Sequence, residues 1–319
     1  MSDPASAGAP VRFESVTVRY PNADRNAVDD VSFAIPAGSF TVFLGPSGCG
    51  KSTLLRTVNR LVVPRNGTVF VDDADVAGIA PERLRRGIGY VIQAVGLFGH
   101  MTVAANVAVV PELVGWDRQR VSARVDELLA LVSLDPARYR NRYPRELSGG
   151  EQQRVGVARA IAAQPPVLLM DEPFGAVDAI VRSALQDETR RIARSLKTTI
   201  LFVTHDVDEA LRLADRIVVL REGRLVQYDT PLAILSAPAT EYVERLLDTH
   251  DVVRRLTLLR ARDAMRTQTG TTSGSIDAGA SLRESLNAFL QGAENLAVTD
   301  DGATIGVLAF DDIRRALHP

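Results

Sequence analysis

Gly45-Pro46-Ser47-Gly48-Cys49-Gly50-Lys51-Ser52-Thr53 carries the first chemical signal in this chain. The segment follows the apolar run SFTVFL and precedes LLRTVNRL, so it reads as a glycine-rich turn between a strand and a helix. Such a turn points backbone N–H groups inward around an anion, and the helix that follows adds the positive end of its dipole. Lys51 supplies a compact charge suited to β- and γ-phosphate oxygens, and the Ser52 hydroxyl suits Mg2+. A second run, VLLMDEP at 167–173, reads as a buried strand ending in two acids. Asp171 at its tip can hold a metal through water, and Glu172 can polarise an attacking water as general base. Each motif has a bland counterpart, a glycine turn and an exposed acidic strand end. Together they predict Mg2+-dependent chemistry on a nucleotide phosphate.

The rest of the chain must position those groups. Its 319 residues suit two domains, and an apolar fraction of 46% is enough to build a core. A net charge of −2 speaks against nucleic acid as a partner recognised through bulk charge. One cysteine excludes a disulfide framework and suits a reducing compartment. No apolar run reaches the roughly 18 residues of a bilayer span, and no secretory leader is evident, so a cytosolic chain is expected. Only Lys51 and Lys197 are lysines among 37 basic residues, which makes a lysine inside the glycine loop informative.

Residues 1–10 are Ala/Ser/Pro/Gly-rich and read as a flexible leader. Residues 11–44 alternate short apolar runs with turns and read as strands. Val121, Val125, Leu128, Leu129 and Val132 fall on one face of a helix. Val167–Met170, Thr199–Val203 and Arg216–Leu220 read as strands buried on both faces of a parallel sheet, which makes the class α/β. Thr267 to Gly279 reads as a Thr/Gly/Ser-rich linker. The remainder reads helix, strand, turn, strand, helix, with the turn at Asp300–Gly302.

LSGGEQQRVGVARAI at 147–161 resembles the signature segment of ABC transporter ATPases, and the resemblance extends over roughly residues 11–240. It implies a P-loop ABC ATPase domain at 11–245, with a RecA-like core, an antiparallel β subdomain and a helical subdomain at about 94–155. In that family the Ser148-Gly149-Gly150 helix end caps ATP held by the glycine loop of a second, head-to-tail copy. The resemblance further implies that Tyr20 stacks on adenine and that Gln93 touches Mg2+ and the attacking water. It implies that Asp178 links the two active sites and that His205 contacts the γ-phosphate. The segments GYVIQAVGLFGHMTVAANVAVVPELVGW and MDEPFGAVDAIVRSALQDE look like the ATPase subunits of osmoprotectant (quaternary-amine) importers. Ala94, Gly99 and Ala179 depart from that subgroup's usual Gln, Pro and Pro. The implied partners are transmembrane permease subunits and, indirectly, an extracytoplasmic solute-binding protein, at the cytoplasmic face of the membrane. An importer ATPase for another small solute is the alternative, and a non-transport ABC ATPase is a further one.

After a connecting helix and linker at 246–280, NLAVTDDGATIGVLAFDDIRRAL resembles the second half of a CBS motif. A single, partial CBS-like α+β module is expected at 281–319. Family ligand positions fall on Gly306, Ala309 and Asp312, and Ala309 lacks the usual hydroxyl, which favours packing over ligand binding. Cys49, beside a helix N-terminus, is expected to have a lowered thiol pKa.

Overall fold

The computed structural model describes residues 8–92, 96–175, 182, 186–191, 197–249, 251–267 and 271–317. In chain order its strands are β1 Val11–Val18, β2 Val28–Ile35, β3 Phe40–Leu44, β4 Asn66–Val71, β5 Ala74–Asp75, β6 Ile88–Val91, β7 Val167–Asp171, β8 Thr199–Thr204, β9 Arg216–Arg221, β10 Arg224–Asp229, β11 Gly274–Asp277, β12 Asn295–Asp300 and β13 Ala303–Ala309. The chain divides into two compact units, Met1–Tyr228 and Asp229–Pro319.

The first unit holds two sheets. One runs β2-β1-β4-β5, with antiparallel pairing throughout. The other runs β10-β9-β3-β8-β7-β6, with parallel pairs from β9 across to β6. Every residue of β3, β7 and β8 is buried. That explains their unbroken apolar sequences, because helices or a second sheet cover both faces. Phe13 of β1 stacks on Phe33 of β2 at 4.8 Å, and Phe33 meets the edge of Phe43 of β3 at 5.9 Å, so aromatic packing fastens the sheets together.

A helical layer occupies the chain between β6 and β7. Its helices are Val103–Leu113, Arg118–Leu131, Pro136–Tyr139 and Gly149–Ile161. The apolar stripe at Val121, Val125, Leu128 and Leu129 is the buried face of the second of these. Asp117 starts that helix by accepting the Arg120 N–H at 2.9 Å. The side chain of Arg124, 6% exposed, donates to the carbonyls of Ile161 and Ala162. A cation thus caps the C-terminal end of the Gly149–Ile161 helix, where the dipole favours it. That helix runs unbroken from Gly149 to Ile161.

The sequence reading changes in two places. Residues 8–10 are anchored rather than loose: Gly8 N–H donates to Lys197 O, Ala9 N–H donates to Pro166 O, and Ala9 is buried. The Thr267–Gly279 stretch, read as linker, contains β11, which pairs in parallel with β12. Its Gly-Ser-Ile-Asp sequence carries too few apolar residues to register as a strand, and its neighbour supplies the pairing. In the second unit the sheet order is β11-β12-β13, and helices Leu282–Leu290 and Phe310–Leu317 enclose a core of Leu282, Leu296, Val298, Leu308 and Ile313.

Asn106 pins the loop entering the helical layer. Fully buried, it accepts the Phe98 N–H at 2.8 Å and donates to the carbonyls of Phe98, Met101 and Thr102. Asn106→Ala removes the side-chain partner of the Phe98 N–H and of three part-buried backbone carbonyls, and a polar group left unsatisfied costs about 1–3 kcal/mol. The variant is expected to lose about 2–4 kcal/mol in urea unfolding with an unchanged m-value.

Candidate functional site

Parallel pairing assembles the site. Leu44 lies beside Thr204, and Asp171 lies beside Val203, so β3, β7 and β8 end side by side. Ligands of open parallel sheets bind at these carboxyl ends. Three chemistry-bearing stretches start there: the loop 45–50 after β3, Asp171-Glu172 at the end of β7, and His205 after β8.

The loop closes on itself as its glycines allow. Gly45 has φ +151° and Gly50 φ +105°; a Cβ would lie 2.4 Å from Leu220 O in the first and 2.3 Å from Ala27 O in the second. Neither position admits a side chain. Gly50 is also the N-cap of helix Lys51–Val58, and no side chain bonds to that end. The first-turn N–H groups are therefore available to an anion. Lys51 is 4% exposed, and its Nζ donates to the carbonyls of Gly45 at 2.7 Å and Pro46 at 2.9 Å. Its charge is held at the loop's mouth rather than swinging in solvent.

A cleft of about 420 Å³ opens over this loop. Ser47, Gly48, Gly50, Lys51, Ser52 and Thr53 form its floor. Tyr20 stands at its side, 43% exposed, with its hydroxyl 3.2 Å from Thr53 Oγ1. An exposed aromatic ring flanking an anion cradle suits a nucleobase joined to phosphates.

Glu172 reaches the same cleft through an unusual backbone. Its φ of +44° is rare for a residue with a side chain, and the N–H donates to Val203 O at 3.1 Å. This bend aims Glu172 out of the buried strand, where its Oε2 lies 3.4 Å from His205 Nδ1. Behind it, Asp171 is 3% exposed and accepts the Ser52 hydroxyl at 2.6 Å. A hydroxyl facing a carboxylate beside a phosphate cradle is a hard-oxygen donor pair suited to Mg2+. The residues present therefore fit that cation. Among the described residues no cluster of three or more His, Cys, Asp or Glu forms a metal site without such help.

Ser148, Gly149 and Gly150 lie elsewhere: none of the described residues lining the cleft comes from this segment. Ser148 is the N-cap of helix Gly149–Ile161 in a reciprocal arrangement with Glu151, whose Oε2 accepts the Ser148 N–H at 2.7 Å. Tyr139 donates to the other Glu151 oxygen at 2.6 Å, and the two bonds hold this carboxyl below the usual range. Gln93 and Asp178 fall outside the described residues.

Cys49 corrects the expectation drawn from its position. The helix end was expected to lower its pKa, but the thiol is 3% exposed and burial pushes it up, with Lys51 offsetting only part. Sequence reasoning also passed over Glu209, one turn into helix Val207–Leu213, where helical spacing gave no hint of burial. Burial raises its carboxyl despite the Gln186 amide donating at 2.9 Å.

A family model for ABC transporters matches residues 28–175. Over 262 residues the chain is 46% identical to the glycine betaine/carnitine/choline transport ATP-binding protein OpuCA of Bacillus subtilis, covering 82% of this chain and 68% of that one. This chain belongs to the ABC transporter ATP-binding subunit family. It is also 44% identical over 292 residues to the glycine betaine uptake system ATP-binding protein YehX of Escherichia coli, covering 91% and 94% of the two chains. Among solved structures, the dimeric post-hydrolysis ATP-binding cassette MJ0796 bound to ADP and Pi matches with a TM-score of 0.63 at 30% identity, over 69% of this chain and 98% of that one.

Two outcomes check this geometry. N-ethylmaleimide is expected to label Cys49 at neutral pH more slowly than in the unfolded chain, because burial both raises the thiol pKa and shields the sulfur. Glu209 binds its proton more tightly folded than unfolded, so its contribution lowers stability as pH rises from the ordinary carboxylate value to the raised one. Glu209→Gln should flatten that part of the melting-temperature profile and raise the midpoint above it.

Proposed function

We propose that this chain is the ATP-hydrolysing motor of an importer for a quaternary-amine osmoprotectant such as glycine betaine, choline or carnitine. The observation that carries the reading is the convergence of Lys51, Ser52, Glu172 and Tyr20 on one cleft, in a chain so similar to osmoprotectant-import ATP-binding subunits. The loop amides and Lys51 bind the β- and γ-phosphates, and Tyr20 stacks on the base. Ser52 and Asp171 would hold Mg2+, which when bound neutralises charge on the β- and γ-phosphate oxygens. Glu172 takes the proton of a water that attacks the γ-phosphorus in line, the bond to the β-phosphate oxygen breaks and ADP leaves, while His205, facing Glu172 Oε2, contacts the γ-phosphate. Gln93 and Asp178 complete the set, Gln93 at the metal and water, Asp178 between sites.

A second copy completes each site. The Ser148-Gly149-Gly150 helix end faces solvent rather than its own cleft, which suits a head-to-tail pair in which each signature end caps the other's ATP. MJ0796, solved as a dimer with ADP and Pi, is a precedent for a paired cassette. Closure of the pair would pull on a membrane permease through the helical layer. Among the described residues no helix is long and apolar enough to cross a membrane. In this reading the permease subunits supply the translocation path and this chain works at the membrane's cytoplasmic face.

The second unit is read as a single CBS-like module of packing type. Asp312, a family ligand position, is 3% exposed and already engaged: it accepts the Ala309 N–H at 2.9 Å and pairs with Arg266 and Arg315. Both of its oxygens already accept donors from within this unit. Deleting residues 267–319 should leave the salt response of transport unchanged.

Uptake of labelled glycine betaine, choline and carnitine tests the main reading in cells lacking this chain, at low and high osmolarity. Wild type is expected to restore uptake of one amine and Lys51→Ala to restore none. If no amine responds to wild type, the solute assignment falls. Glu172→Gln is expected to reduce ATP hydrolysis about 10²- to 10⁴-fold while ATP binding persists.

A further inference from the structure

Asp171 is gripped at both oxygens. Its side chain is 5% exposed; Oδ1 accepts the Ser52 hydroxyl at 2.6 Å, and Oδ2 accepts Arg56 Nη2 at 2.9 Å and the Tyr90 hydroxyl at 3.5 Å. Ser52 and Arg56 are four residues apart on helix Lys51–Val58, so one helix face presents both donors. Tyr90 comes from β6, one residue before Val91, where β6 pairs with β7. Three elements thus meet on one carboxylate: the helix after the glycine loop, the strand that carries Asp171, and the strand beside it.

We propose that Arg56 and Tyr90 are positioning residues that hold Asp171 with Oδ1 turned to Ser52, and thereby set the divalent-cation affinity of the nucleotide cleft. The proposal rests on the ATPase reading above. Neither residue is among the groups lining the cleft. Arg56 holds Oδ2, while Oδ1 meets the hydroxyl of Ser52, which lines the cleft. A small hard cation tolerates little departure from its preferred geometry, so a carboxylate free to rotate binds it more weakly.

Electrostatics alone predicts the opposite sign. Arg56 is a positive charge one carboxylate away from the cation position, and removing it would strengthen cation binding if repulsion dominated. The guanidinium is 44% exposed, so solvent screens that repulsion, whereas the geometric restraint acts on a buried carboxylate. Positioning should therefore win.

The test uses the full chain carrying Glu172→Gln to stop hydrolysis. Mn2+ binding is followed by electron paramagnetic resonance at saturating ATP, and ATP binding is measured separately in EDTA. Arg56→Met is expected to weaken Mn2+ binding about tenfold or more, as loss of an outer-shell partner typically does. ATP binding in EDTA should be unchanged. Arg56→Lys, which keeps the charge without the guanidinium fork, should fall between, and Tyr90→Phe should weaken Mn2+ less than Arg56→Met. If Arg56→Met does not fold, Arg56→Lys and Tyr90→Phe carry the test. Unchanged or tighter Mn2+ binding in the folded variants overturns the proposal. Failure of the Glu172→Gln parent itself to bind ATP would instead overturn the ATPase reading.

Discussion

A strand buried on both faces can present polar chemistry only at its ends, and the arrangement of this protein follows from that constraint. β3, β7 and β8 are apolar and covered along their whole length. Their parallel pairing puts all three carboxyl ends on one edge. The phosphate loop, the acidic pair and His205 are far apart in sequence, yet each is the first polar stretch after one of these strands. Their meeting is a consequence of sheet register rather than of any local preference.

Once the strand ends are aligned, short-range devices set the chemistry. Gly45 and Gly50 let the loop pass within contact of Leu220 and Ala27. Two carbonyls of the same loop hold a buried lysine. This site suits an ammonium better than the bulkier fork of an arginine, which gives physical content to a lysine here in a chain whose other basic residues are arginine apart from Lys197. The left-handed turn at Glu172 separates two adjacent acids, sending Asp171 inward to Ser52 and Glu172 outward to His205. One strand end thereby supplies a carboxylate that faces the loop hydroxyl and another that faces the histidine.

The signature helix illustrates a different division. Its start is fixed locally by the Ser148–Glu151 capping pair, and its far end by Arg124 from a neighbouring helix. With both ends held, its exposed N-terminus is a rigid surface suited to a second copy, and the cleft of the same chain is left without it.

Much of this was legible in the residues. The glycine spacing, Lys51, the acids after an apolar run and the signature segment identify the ATPase, because backbone-anion chemistry dictates those residue types wherever it occurs. The apolar runs also marked the central strands, since burial on both faces leaves no room for alternation. Other features depended on contacts between distant segments. β11 carries no strand signal of its own and exists through β12. Gly8 and Ala9 are held by Lys197 and Pro166, more than a hundred positions away. The Cys49 thiol is raised because burial outweighs the helix end beside it, and the Asp171 clamp joins Arg56 and Tyr90 across two further elements. Sequence determined which groups do the chemistry, because residue type and local spacing fix donor, charge and turn. Tertiary structure decided how each is held and how strongly it binds its proton, because burial and partners are set by residues remote in the chain.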